Sequence, residues 1–219
     1  MKYGIVGCKG RMGSEIARVF DAAGHTRVLT SDIDGVECRE RPEVIVDFSS
    51  HAALPATVTL CRSHHCGLVL GTTALADEHF AALRELGSEV PVVQSFNFAT
   101  GVNLLALILS DYAPFLSDWD LEITETHHNR KKDAPSGTAL LLRDATGRDC
   151  PTHSLRLGGV PGDHSVHFGN DGEVLTFTHR ALNRSVFALG ALRAARFALT
   201  ARPGFYTFRD VLKQCGKES

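Results

Sequence analysis

One short segment of the 219-residue chain concentrates side chains that transfer protons and bind anions. Residues 125–138 read ETHHNRKKDAPSGT. A histidine can donate or accept a proton near neutral pH, and the pKa of a lysine such as Lys131 falls readily on desolvation. Neighbouring side chains of a strand point to opposite faces, so His127 and His128 cannot share one role. We therefore expect one histidine to take part in chemistry and the other to bind.

The same segment ends where a helix is predicted to begin. Residues 135–138, Pro-Ser-Gly-Thr, precede the apolar run 139–142, which is the pattern of a helix N-terminus. Free N–H groups at such a terminus attract anions, and the preceding cations do the same. The segment therefore predicts a pocket for a carboxylate or a phosphate. The alternative is a solvated basic turn before a capped helix, and a nucleotide site elsewhere in the chain would favour the pocket.

A glycine-rich segment near the start of the chain predicts a dinucleotide site. Gly7, Gly10 and Gly13 follow the apolar run 2–6, which predicts a strand. Glycines there permit a tight turn and let backbone N–H groups approach a pyrophosphate. Asp32 ends the second predicted strand, about 20 residues further on, where an acidic residue can bind an adenosine ribose. An ordinary turn is the alternative, but strand, loop, helix and aspartate together favour a nucleotide.

The sequence leaves the cofactor preference open. Asp32 favours the free 2′-hydroxyl of NADH, because Ile33 and Asp34 follow it rather than an arginine that would hold a 2′-phosphate. Lys9 and Arg11, inside the glycine-rich segment, could nevertheless reach such a phosphate. We therefore predict that the protein uses both NADH and NADPH.

Two kinds of element pattern divide the chain. Over residues 1–100, apolar runs alternate with helical patterns, which predicts an α/β fold with a Rossmann-like, doubly wound parallel sheet. Segments 71–73 and 95–98 directly follow predicted strands of this sheet, where such folds bind ligands, although either could be a plain loop. Over residues 101–185, alternating strands and the turn Asn-Asp-Gly at 170–172 predict a smaller α+β domain with a hairpin.

Composition argues against several other functions. The net charge of −2 and pI near 6.6 give no field that attracts nucleic acid or an anionic membrane. We see no signal peptide and no apolar run near the roughly 20 residues that cross a bilayer. Six cysteines without a CxxC pair favour a reduced, cytoplasmic compartment. We predict no metal, because adjacent histidines on a strand suit one zinc poorly. Four other histidines are expected in loops or at the surface: His64, His65, His164 and His167.

These motifs resemble those of bacterial dihydrodipicolinate reductases. The matching segments run nearly end to end and comprise residues 10–13, 71–73, 97–98, 101–103, 125–128, 131–138 and 205–212. The resemblance implies an enzyme of diaminopimelate and lysine biosynthesis that reduces 4-hydroxy-tetrahydrodipicolinate (dihydrodipicolinate) to tetrahydrodipicolinate. A hydride would pass from NADH or NADPH to ring C4. The two carboxylates of this substrate would fill the predicted anion pocket.

The resemblance also implies roles for individual residues. His127 would donate or accept a proton, and Lys131 would donate one. The substrate would be bound by His128, Lys131, Ser136, Gly137 and Thr138. The cofactor would be bound by Gly7, Cys8, Lys9, Gly10, Arg11, Met12, Asp32, Gly71, Thr72, Thr73, Ser95, Phe96, Asn97 and Phe98.

The resemblance extends to domain organisation and assembly. It implies a dinucleotide-binding domain over residues 1–100, completed by residues 186–219, and a substrate-binding and oligomerisation domain over residues 101–185. It further implies a homotetramer built through the sheet of the second domain. The chain is short between Asp34 and Pro42, so a helix usual there is expected to be missing. An acidic-then-basic pair usual after the second strand is also absent, which leaves the adenosine contacts open.

Two other functions would share part of this pattern. Another nicotinamide oxidoreductase, such as an amino-acid or semialdehyde dehydrogenase, needs residues 7–13 but not residues 127–138. A non-catalytic NAD-sensing module would bind the cofactor without turnover. Such a sensor has little use for an acid beside an anion pocket, so the reductase is the favoured interpretation.

Overall fold

The computed structural model of the chain describes residues 1–215, so the last four residues of the predicted segment 186–219 lie outside it. The chain divides into two compact units. The first comprises Met1–Phe98 together with the described residues from Phe187 onward, and the second comprises Ala99–Val186. No helix in the described part of the chain is both long enough and apolar enough to span a bilayer.

The elements follow in chain order. Up to residue 98 they are β1 (Lys2–Val6), α1 (Arg11–Ala22), β2 (Thr26–Asp32), β3 (Gly35–Cys38), β4 (Val44–Asp47), α2 (Leu54–His64), β5 (Gly67–Leu70), α3 (Asp77–Gly87) and β6 (Pro91–Gln94). The next are α4 (Thr100–Tyr112), β7 (Asp120–His127), α5 (Gly137–Thr146), β8 (Thr152–Arg156), β9 (Asp163–Gly169) and β10 (Val174–Arg180). The last are α6 (Ser185–Ala198), β11 (Gly204–Thr207) and α7 (Phe208–Cys215). Short 3-10 turns occupy His51–Ala53 and Ala113–Leu116.

The first unit is a seven-stranded sheet with strand order β11-β6-β5-β4-β1-β2-β3. All neighbouring strands are parallel except β3, which is antiparallel to β2. Every residue of β4 and β5 is buried, as expected for central strands covered on both faces. The predicted Rossmann-like α/β fold is therefore confirmed.

The part of the chain that returns to the first unit covers one face of its sheet. Residues of α6 and α7 pack in one core cluster with Tyr3, Ile5 and residues of α1. The rings of Phe98 and Phe208 lie 5.1 Å apart. A Cβ atom on Gly190 would lie 1.7 Å from the carbonyl oxygen of Phe98. Helix α6 can therefore lie this close to the backbone of Phe98 only because residue 190 has no side chain.

The segment between β2 and β4 forms a hairpin strand. The helix that is usual in this family is absent here, as the short length of the segment predicted, but strand β3 was not predicted. All four residues of β3 are exposed, so they lack the apolar alternation that indicates a strand. Pairing with Leu29–Asp32 of β2 holds β3 at the edge of the sheet.

The second unit is a four-stranded mixed sheet with strand order β10-β9-β7-β8. Strand β7 is antiparallel to β9 and parallel to β8, and β9 and β10 form the predicted hairpin. The Asn170 side chain accepts hydrogen bonds from the N–H groups of Gly172 and Glu173 in the turn. Alternate residues of β7 are buried, so Glu125 and His127 share the inner face with Leu121 and Ile123. Strand β8 was not predicted.

Candidate active site

The glycine-rich segment lies between β1 and α1 and leaves room for little besides backbone. A Cβ atom on Gly13 would lie 2.1 Å from the carbonyl oxygen of Gly7, and one on Gly7 would lie 2.8 Å from the Cβ atom of Ser49. Gly7 also has a φ of +75°, a left-handed conformation that favours glycine. Gly10 precedes α1 without a capping side chain, so N–H groups of the first turn stay available to an anion. This arrangement fits a dinucleotide pyrophosphate.

Asp32 lies at the end of β2, beside the glycine-rich segment. Its carboxylate accepts hydrogen bonds from the backbone N–H groups of Lys9, at 2.8 Å, and of Ile33, at 2.9 Å. These two bonds lower the pKa of Asp32. The ammonium of Lys9 pairs with the carboxylate of Asp34, whereas the side chain of Arg11 is exposed. A 2′-phosphate would therefore compete with Asp34 for Lys9.

Asp47, the last residue of β4, joins several segments at this edge of the sheet. It is fully buried. Its carboxylate accepts hydrogen bonds from the N–H and hydroxyl groups of Ser49 and from the hydroxyl groups of Thr57 and Thr72, at 2.6–3.2 Å. The predicted cofactor segment 71–73 is thus fixed by a residue to which the sequence assigned no site role. In the sequence, the one sign of this role was an acidic residue at the end of an apolar strand.

The other predicted cofactor residues also follow strands of the first unit. A Cβ atom on Gly71 would lie 2.2 Å from the ring of Phe48. In segment 95–98, the hydroxyl of Ser95 donates to the carbonyl of Asn97 at 2.8 Å. Phe96 is 54% exposed, whereas Phe98 is buried. Exposed Phe96 offers a flat apolar surface to a ligand, while Phe98 belongs to the core.

In the second unit, His127 closes β7 and forms a pair with the carboxylate of Glu125 through Nδ1. Both side chains are buried. Burial is the main cause of a lowered pKa of His127, against the opposing charge of Glu125. Although burial raises the pKa of Glu125, hydrogen bonds from Ser154 and Arg156 help to lower it overall. Glu125 is therefore ionised near neutral pH and His127 is neutral, with its proton on Nδ1 and Nε2 free to accept.

His164 lies against His127, so its predicted loop or surface location is wrong. Only 3% of His164 is exposed, and its ring centroid lies 5.0 Å from that of His127. The pairing of β7 with β9 places His164 directly opposite Glu125. Its Nε2 atom lies 3.1 Å from the hydroxyl oxygen of Ser136. His164 therefore joins the His127 pair to the start of helix α5.

The segment predicted to bind an anion leads into a helix, as expected. Ser136 caps α5 by accepting a hydrogen bond from the N–H of Ala139 at 3.1 Å. Gly137 is exposed, and a Cβ atom there would meet nothing within 4 Å. Lys131 is half-buried and forms an ion pair with Asp133 at 2.8 Å. Buried Nδ1 of His128 lacks a hydrogen-bond partner within the described residues. Cations and the N-terminus of a helix thus occur on one short stretch.

One cluster in the described residues has the composition of a metal site. Ligand atoms of Glu125, His127 and His164 lie within 4.8 Å of one another. Both carboxylate oxygens of Glu125 are already engaged, one by His127 and the other by the guanidinium of Arg156. A cation bound there would face this guanidinium. The cluster therefore suits a hydrogen-bonded proton site better than a metal.

Replacing His164 with glutamine is expected to make the free energy of unfolding less sensitive to acid. Burial, followed by the charge of nearby His127, lowers the pKa of His164 to about 3. Below its ordinary pKa near 6.5, the unfolded chain takes up a proton that the folded chain excludes. Stability then falls by about 1.4 kcal/mol per pH unit down to about pH 3, whereas above pH 6.5 the residue has no effect.

Urea titrations at pH 7, 6 and 5 would measure this difference. The matched control is His153→Gln, which replaces an exposed histidine on strand β8. We expect the control to keep the pH dependence of the original chain and His164→Gln to show a shallower slope. Equal slopes in both variants would contradict the burial of a neutral His164.

Comparisons with known proteins show which family the chain belongs to. The family model described as "Dihydrodipicolinate reductase, N-terminus" matches residues 1–98, and "Dihydrodipicolinate reductase, C-terminus" matches residues 101–212. A 4-hydroxy-tetrahydrodipicolinate reductase of Thermosipho africanus is 52% identical over 214 residues, covering 98% of this chain and 99% of the relative. One of Bdellovibrio bacteriovorus is 37% identical, covering 97% and 96% respectively.

A solved structure shares the fold. The dipicolinate-bound dihydrodipicolinate reductase from Paenisporosarcina sp. TG-14 aligns with a TM-score of 0.75 at 20% identity, covering 94% of this chain and 97% of that one. The family models match both halves of the sequence, and the Thermosipho relative is similar almost from end to end. The chain therefore belongs to the dihydrodipicolinate reductase family.

Proposed function

We propose that the chain catalyses the NAD(P)H-dependent reduction of 4-hydroxy-tetrahydrodipicolinate to tetrahydrodipicolinate, a step towards diaminopimelate and lysine. The observation that carries this proposal is the second unit's buried Glu125–His127 pair, which His164 connects to the capped start of α5. A cyclic dicarboxylate needs anion sites and a proton source, and the cations, helix start and histidine pair of this unit support both roles. The Thermosipho and Bdellovibrio relatives carry the name of the same reductase.

Substrate binding rests on the residues of the anion pocket. The start of α5 at Gly137 and Thr138 suits one carboxylate, because the first turn of a helix favours negative charge. His128, Lys131 and Ser136 complete the proposed set. The side chain of Lys131 is already held beside Asp133, so a bound carboxylate would meet a cation whose position is restricted.

We assign the proton transfers to His127 and Lys131. On the hydroxylated ring, neutral His127 accepts a proton through Nε2 from the carbon between C4 and the imine carbon. Lys131 protonates the 4-hydroxyl group, which leaves as water and produces a conjugated imine. After reduction, protonated His127 returns its proton to the same carbon. A positioned acid or base contributes about 10²–10⁴-fold to such a step.

The cofactor is proposed to bind the first unit through the glycine-rich segment, Asp32 and segments 71–73 and 95–98. When bound, a nicotinamide cofactor supplies the hydride that goes to ring C4. Each carboxylate oxygen of Asp32 accepts a backbone hydrogen bond, and Lys9 is paired with Asp34. Neither residue therefore selects strictly for the 2′-hydroxyl of NADH or the 2′-phosphate of NADPH. We therefore propose that the protein uses both NADH and NADPH and needs no metal.

We also propose a cytoplasmic homotetramer. An apolar groove of the second unit supports self-association: it is lined by residues of α4, the following 3-10 turn, β9 and β10. Phe115 and Tyr112 in this groove are 77% and 60% exposed in the single chain, and exposed apolar patches of this kind mark protein interfaces. Sedimentation analysis of the purified chain would measure the assembly, and a monomer would refute it.

The decisive test is cofactor oxidation on substrate freshly made by condensing pyruvate with aspartate semialdehyde. We expect rapid oxidation of both NADH and NADPH that stops when the condensation step is omitted. Michaelis constants that differ by several hundredfold would rule out dual use. No oxidation by protein that binds the cofactors would refute the reductase and favour another dehydrogenase or a sensor.

A further inference from the structure

Arg156 is the residue around which the proton-transfer residues of the second unit are organised. It ends strand β8 and lies opposite His127 in the parallel pairing of β7 with β8. Its side chain is 20% exposed. The guanidinium donates to a carboxylate oxygen of Glu125 at 3.0 Å and to the carbonyls of Asp133 and Lys131 at 2.5 and 3.3 Å. One rigid group thus contacts two separate parts of the site.

The first of these contacts fixes the state of the Glu125–His127 pair. Glu125 is fully buried, and a buried carboxylate that loses its cationic partner becomes costly to ionise. The hydrogen bond and charge of Arg156 both help to lower the pKa of Glu125. An ionised Glu125 accepts the Nδ1 proton of His127, which leaves Nε2 as the acceptor.

The second set of contacts fixes the loop that carries Lys131. Backbone carbonyls in the loop between β7 and α5 have no sheet partners there, so side-chain donors or water must satisfy them. Arg156 bonds the carbonyls of Lys131 and Asp133, the two residues that also form an ion pair with each other. The backbone that positions the ammonium of Lys131 is therefore tied to the same guanidinium as Glu125.

We propose that Arg156 is a positioning residue that couples the proton acceptor His127 to the proton donor Lys131. The expected change in kcat rests on the proposed function, whereas the expected change in the tautomer of His127 does not. Arginine does not deprotonate in proteins, so Arg156 transfers no proton itself. Its planar fork supplies several donors in fixed directions, which the single ammonium of lysine cannot reproduce.

The kinetic test compares Arg156→Lys and Arg156→Ala with the original chain. Misplacement of a catalytic group by about 1 Å can cost about 10²-fold in rate, so we expect kcat to fall by about that factor in both variants. The dissociation constant for NADH should stay within about twofold. The control is Arg143→Gln, because Arg143 lies on α5 and, among the described residues, forms its ion pair with the exposed Asp149. Full kcat in Arg156→Lys would overturn the proposal.

A second measurement does not depend on turnover. Nitrogen-15 chemical shifts of His127 distinguish the Nδ1–H tautomer from the Nε2–H tautomer. We expect a single Nδ1–H form in the original chain and in Arg143→Gln, and a mixture or a protonated ring in both Arg156 variants. An unchanged tautomer in the folded Arg156 variants would refute the coupling, even if the substrate assignment proved correct. Inactivity of the original chain on the condensed substrate would instead refute the proposed function.

Discussion

Replacing Lys131 by alanine is expected to lower kcat by about 10²–10⁴-fold, because the proposed reaction loses the acid that protonates the departing hydroxyl group. The dissociation constant for NADH should stay the same, since the predicted cofactor residues belong to the first unit. Single-turnover measurements of cofactor oxidation would isolate the chemical step from product release. The KM for the substrate should also rise, because Lys131 is proposed to contact a carboxylate.

Lys132 offers a matched control for this experiment. It is adjacent to Lys131 in the same loop, carries the same charge and is exposed, whereas Lys131 is half-buried. Lys132→Ala should therefore retain kcat within about threefold, as expected for an exposed residue away from the chemistry. If Lys131→Ala turned over as fast as Lys132→Ala, the proton-donor role would be excluded.

Replacing His127 by glutamine is expected to lower kcat by a similar factor of about 10²–10⁴ and to change its pH dependence. In the original chain, the lowered pKa of His127 keeps the ring neutral at pH 7. As the pH falls below 6.5 and through that lowered pKa, the ring takes up a proton and can no longer accept one. The original chain should thus lose kcat in acid, and the variant should lack this acidic limb.

A pH–rate profile from pH 5 to 8 for both proteins would test this expectation. Glutamine can still hydrogen-bond to Glu125, so the variant should stay folded. His167→Gln is a suitable control, because His167 belongs to strand β9 but lies on the other face of the sheet, where it contacts Thr124 and Thr176. An acidic limb that persisted unchanged in His127→Gln would assign the titration to another group.

Local patterns in the sequence predicted much of the fold. The strands Lys2–Val6 and Pro91–Gln94 and the hairpin turn at residues 170–172 were predictable because burial on both faces, or a strong turn signal, marks them directly. Strand β8 was not, because most of its residues are exposed. It is defined by pairing with β7, a contact that local periodicity does not encode.

The same reason explains what the sequence left out of the site. Residues 125–138 identified His127, Lys131 and the helix start, because these lie on one continuous segment. His164 and Arg156 reach the site through strand register: one lies opposite Glu125 and the other opposite His127. A histidine or an arginine in an isolated strand carries no sign of its partner. Only the assembled sheet shows that His164 lies opposite Glu125 and that Arg156 binds its buried carboxylate.

The division of the first unit into two stretches of chain has a consequence for biosynthesis. The face of its sheet that carries Tyr3 and Ile5 packs against α6 and α7, which follow the second unit in the sequence. While the ribosome is still making the second unit, that apolar face can pack against α1 but lacks the cover of α6 and α7. The second unit, formed by one continuous stretch, can complete its core earlier. The half that is translated first is thus the half that finishes folding last.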